Sequence, residues 1–113
     1  MNTRTTLYEE IEAGIFGIAL TYCKSSNLAM NIAETEATKI LEFIRSSSKR
    51  VWDSPMTVNF ERVIRIHIPF VLGKYTAENY FEDNLSVDTL KGMSITMSDI
   101  VLIQIRRYAS SLR

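Results

Sequence analysis

"NFERVIRIHIPFVLG", residues 59–73, holds the chain's one histidine between two isoleucines, and its reading decides the fold. From Met56 to Leu72 the even positions are Met, Val, Phe, Arg, Ile, Ile, Ile, Phe and Leu, so eight of nine are apolar. Of the eight odd positions from Thr57 to Val71, six are polar, charged or proline. Alternation of this kind is the pattern of a half-buried strand, in which successive side chains point to opposite faces. It predicts a long amphipathic strand over about 56–70. Ile64, Ile66, Ile68 and Phe70 then share the apolar face, and Arg65 and His67 share the other. Pro69 has no backbone donor, which places it at a strand end, an edge or a bulge.

Upstream, the rhythm is helical. Leu7, Ile11, Ile15, Ile18 and Tyr22 recur at helical spacing behind Thr5 or Thr6 as N-cap, with glutamates early, where the helix dipole favours them. Ser25-Ser26-Asn27 interrupts the pattern. A second helix follows with Ala33, Ala37, Ile40, Leu41 and Ile44 on one face and Glu34, Glu36, Lys39 and Glu42 elsewhere. So short a connection implies an antiparallel hairpin. Ala13, Gly14 and Gly17 strip bulk from one side of the first helix, which suits close packing against a neighbour. Downstream of Gly73, "YTAENYFEDN" reads as a short helix capped by Thr76 and "LSVDTLKGM" as a helical turn begun at Ser86. "SDIVLIQIRRYASSLR" reads as a C-terminal helix capped by Ser98, although its β-branched residues also suit a strand.

The expected fold is therefore a single α+β domain over residues 1–113. In it an N-terminal antiparallel helical hairpin packs on a small sheet built around the long strand, and a C-terminal helix completes the chain. The 113 residues suffice for one core and not for two. A strand from Met56 to Ile68 would extend roughly 43 Å at about 3.3 Å per residue. A compact domain of this size is only roughly 34 Å across. The mismatch predicts self-association, most simply as a homodimer, with Ile64, Ile66, Ile68 and Phe70 as the contact surface.

Enzymatic chemistry finds little to work with. His67 is the single histidine and Cys23 the single cysteine, so a Ser-His-Asp arrangement has one candidate base and a zinc site has too few nitrogen and sulfur ligands. "LGK" at 72–74 lacks the remainder of a phosphate-binding loop, and "EDNLSVD" lacks the alternating ligands and central glycine of a calcium loop. No catalytic, metal or cofactor site is expected. One cysteine allows no internal disulfide, which suits the cytoplasm. "AGIFGIALTYC" is too short to span a bilayer, so no membrane contact is expected.

Charge separates the two remaining function classes. Thirteen basic and thirteen acidic side chains cancel, which disfavours strong nonspecific nucleic-acid binding. Residues 100–113 nevertheless carry three basic side chains and no acidic one. Arg62, Arg65, Arg106 and Arg107 are the candidate nucleic-acid face, with Lys49-Arg50 beside Trp52 as a possible stacking element. The leading expectation is a small non-enzymatic regulatory or adaptor protein acting through self-association and an unidentified protein partner. A nucleic-acid-binding regulator is the alternative.

Overall fold

The computed structural model describes residues 3–46 and 57–111, and these form four helices. They are α1 (Thr3–Tyr22), α2 (Ser26–Ser46), α3 (Thr57–Ala77) and α4 (Val87–Ser111). Among the described residues there is no sheet; the one β-type pairing is an isolated antiparallel bridge between Cys23 and Phe81. The α+β expectation is therefore incorrect. The segment expected as a strand is α3, and Pro69 sits inside that helix rather than at a strand edge. Met56, where the strand was expected to begin, lies outside the described residues, as do Lys49, Arg50 and Trp52.

The physical reason lies in the even positions themselves. Residues two apart on a helix point about 200° apart, whereas residues four apart nearly superpose. The even series thus separates into two helical rows. Phe60, Ile64, Ile68 and Leu72 form the first, and all are 2% exposed or less. Arg62, Ile66, Phe70 and Lys74 form the second on the opposite side, and all four are exposed. With Val71 and Tyr75 the first row makes an ordinary i, i+4, i+7 core stripe. The alternation arose because the outward row is apolar at its centre too. As a helix, 57–77 spans roughly 30 Å, well inside the 45 × 28 × 18 Å body. The length argument for self-association falls with the strand.

The hairpin of α1 and α2 turns in three residues. The Leu28 amide donates to Ser25 Oγ at 3.2 Å, capping α2. Leu7, Ile11, Ile15 and Ala19 of α1 meet Ala29, Ile32, Ala33, Ala37, Ile40 and Ile44 of α2 in the core. α1 also packs on α4, and α4 on α3. Gly14 permits the α1–α4 approach: a Cβ added there would overlap the Ile100 Cγ2 methyl, whereas Gly17 faces open space. α4 is one continuous helix where shorter pieces were expected. Ser86 Oγ accepts from the Thr89 amide at 3.0 Å and caps it, while Ser98, expected as a cap, is buried at mid-helix. Met93, Met97, Val101, Leu102 and Ile105 face inward.

The α3–α4 connection is pinned to the hairpin turn. The Lys24 amide donates to the Tyr80 carbonyl at 3.0 Å and the Glu82 amide to the Tyr22 carbonyl at 2.8 Å. Tyr80 Oη donates to Asn31 Oδ1 at 2.9 Å, and Phe81 is buried. Asn79 and Asn84 take positive φ values of 64° and 71° on either side of this clasp, a conformation asparagine tolerates better than most residues. α2 and α3 face each other across a looser seam. It is bridged by an edge-to-face contact of Phe43 on Phe60, with ring centroids 5.0 Å apart, and by the polar cluster described next.

Candidate interaction surface

Glu36 lies in the i, i+4 row Ile32–Glu36–Ile40 of α2 and is wholly buried. Its carboxylate accepts from Tyr75 Oη at 2.7 Å and lies 3.0 Å from His67 Nε2, with Lys39 Nζ at 3.8 Å. Burial on its own would push this carboxyl upward. The hydrogen bonds from His67 and Tyr75, aided by the Lys39 charge, outweigh burial and hold it below the ordinary carboxylate value. Tyr75 moves the other way: burial, then its bond to the carboxylate, raises its phenol. His67 is thus the third member of a structural tie between α2 and α3. A small cleft of about 150 Å³ beside it is lined by Lys39, Ile40, Phe43, Val63 and Ile64. No hydroxyl or thiol nucleophile lines that cleft. Cys23 is buried at the α1–α2 turn, where burial pushes its thiol up to about 11, away from nucleophilic use. Among the described residues no group of three His, Cys, Asp or Glu is placed to hold a metal ion.

The four residues expected as a self-association surface are divided by the helix. Ile64 and Ile68 are 2% and 0% exposed and belong to the chain's own core. Ile66 and Phe70 are 66% and 73% exposed. Between α3 and α4 runs an apolar groove of about 370 Å³, walled by Pro69, Leu72 and Gly73 on one side and by Val87, Leu90 and Ile95 on the other; Ile66 and Phe70 do not line it. Val87 is 67% exposed and Ile95 59%. Sequence reasoning missed the α4 half because Val87 was read into a short turn begun at Ser86 and the C-terminal helix was started only at Ser98, beyond Ile95. Grouped exposure of large aliphatic and aromatic side chains is uncommon on a monomer's surface and marks interaction sites.

Of the four arginines, Arg65 and Arg106 meet at Glu61, and acidic side chains claim both. Arg65 bonds Asp99 at 2.9 Å and Glu61 at 3.3 Å, and Arg106 bonds the other Glu61 oxygen at 3.1 Å. Arg62 and Arg107 are exposed. A phosphate approaching here meets Glu61 and Asp99 alongside the guanidinium groups, which weakens the field a nucleic acid would feel. Among the described residues no helix is long and apolar enough to cross a membrane. Comparison with family models, with curated proteins and with solved structures finds no match to this chain.

Proposed function

We propose that this chain is a small non-enzymatic regulatory or adaptor module of the cytoplasm that self-associates and binds protein through the outer face of α3 and α4. One observation carries the reading: Val87 and Ile95 lie largely in solvent on the wall of an apolar groove, and Ile66 and Phe70 lie largely in solvent on the outward row of α3. Burying such side chains contributes on the order of 1.5–3 kcal/mol each, and the fold leaves that gain unused. Among the described residues there is no sheet edge to pair, so the contact is helix against helix. The four arginines give no comparable support to the nucleic-acid alternative, since Glu61 and Asp99 already occupy Arg65 and Arg106.

Sedimentation velocity of the wild type and of an Ile66→Glu/Phe70→Glu variant tests the reading. The wild type is expected to gain mass with concentration, and the variant to stay monomeric with its helical circular dichroism intact. A wild type that is monomeric up to a few hundred micromolar would overturn it. So would binding to DNA with an affinity that falls steeply as salt is raised.

A further inference from the structure

α4 carries a row of exposed residues four apart: Val87, Lys91, Ile95, Asp99 and Ile103. Val87, Ile95 and Ile103 are 67%, 59% and 44% exposed, large apolar side chains on a helix whose other aliphatic residues are mostly inward. The order along the row is apolar, cationic, apolar, anionic, apolar. Its apolar members are symmetric about Ile95, and its two charges are opposite in sign at equal distances from it. Its central three members, Lys91, Ile95 and Asp99, lie within about 40° of Ile95 around the helix and are complementary to themselves when reversed.

Resting on the self-association reading, we propose that two copies of the chain pair through α4, antiparallel, with Ile95 at the two-fold axis. At the crossing the two Ile95 side chains meet and each Lys91 faces the second copy's Asp99; Val87 and Ile103, turned about 80° to either side of Ile95 around the helix, only flank the contact. Rows of residues four apart are the ridges that interdigitate in the commonest helix-packing class, at a crossing angle of about −50°. A two-fold interface must be self-complementary in this sense, residue i meeting j and j meeting i. Parallel pairing would set Lys91 against Lys91 and Asp99 against Asp99, so the charges select the antiparallel register. Asp99 enters the pair already oriented by Arg65 at 2.9 Å, whereas Lys91 has no ion pair among the described residues. One ridge supplies less than the about 800 Å² per partner of a standard interface. Pro69, Leu72, Gly73 and Thr76 of α3, which line the groove beside Val87, Lys91 and Ile95, widen the contact, and the dimer is expected in the micromolar range.

Charge exchange tests the register. Lys91→Asp faces Asp99 with Asp, and Asp99→Lys faces Lys91 with Lys, so each variant alone should dimerise about tenfold more weakly than wild type, given two reversed pairs at up to about 1 kcal/mol each. An equimolar mixture restores both attractions, because every 91–99 contact then joins an aspartate to a lysine. Recovery of near-wild-type association in the mixture, measured by sedimentation with circular dichroism as the folding control, is the expected result. A dimer that the Ile66→Glu/Phe70→Glu variant disrupts but charge exchange leaves untouched would overturn the α4 register alone. Weakened single variants with no recovery on mixing would overturn it as well. A monomeric wild type would overturn the self-association reading and the register together.

Discussion

α3 has two apolar faces, and only one of them has work inside the molecule. The inward row, Phe60, Ile64, Ile68 and Leu72, is buried against the other helices. The outward row places Ile66 and Phe70 in water between Arg62 and Lys74. In composition the two rows overlap, since each carries isoleucine and phenylalanine. What differs is what they touch. Hydrophobicity read along a chain reports a preference for leaving water and is silent on which molecule provides the shelter. α3 is therefore informative because the other helices of this fold shelter only one of its two apolar faces.

The comparison is broken most forcefully from inside. Truncating Ile68, which is wholly buried, should cost about 2–5 kcal/mol, as removal of a packed aliphatic side chain does when the cavity cannot collapse. Chemical denaturation with an unchanged m-value is the measurement. A loss below about 1 kcal/mol would mean that the inward row is loosely packed and that the two faces are more alike than their burial implies.

A smaller effect is expected where α3 turns toward α2, between the two rows. Glu36→Ala removes the acceptor of Tyr75 and the partner of His67, and should cost about 1–3 kcal/mol for the buried group left unpaired. The sign with pH follows from the directions of the shifts. Glu36 is held below its ordinary 4.5, so its stabilisation is present above that value and is lost as pH falls through the lower folded-state one. The wild type should therefore lose stability on acidification more steeply than Glu36→Ala. On the alkaline side Cys23, raised from 9.0 to about 11, contributes stability that is full below 9.0 and is lost as pH rises toward 11. Tyr75, also raised, adds in the same direction. Thermal melts of both proteins across pH 3–7 check the acid limb; parallel curves would dissociate Glu36 from it.

Much of the helical hairpin was legible because its apolar residues fall on one face each. Leu7, Ile11 and Ile15, and Ala33, Ala37, Ile40 and Ile44, were read as inward and are buried. Glu36 was read as a surface residue by its charge, although its place between Ile32 and Ile40 in an i, i+4 row was a signal that it lies inside. No local pattern announces its partners, since His67 and Tyr75 are 31 and 39 residues away. α3 was misread for a definite reason. Residues two apart are on one face in a strand and on opposite faces in a helix, so two apolar helical rows imitate one strand. The basic face was legible as composition only, because its neutralisation by Glu61 and Asp99 depends on α3 and α4 lying side by side.

The smallest expected effect is the most discriminating, because it concerns the outward row. Ile66→Ala removes as much side chain as Ile68→Ala, from a site that is 66% exposed instead of fully buried. In the isolated monomer little packing is lost, and alanine's better helix propensity returns a few tenths of a kcal/mol. Stability at submicromolar concentration should change by no more than about 0.5 kcal/mol. At concentrations where copies associate, the same substitution should lower the midpoint of unfolding, because an interface stabilises only the assembled state. A stability loss above about 2 kcal/mol that is independent of concentration would show Ile66 sheltered within a single chain, and the distinction between the two faces of α3 would then fail.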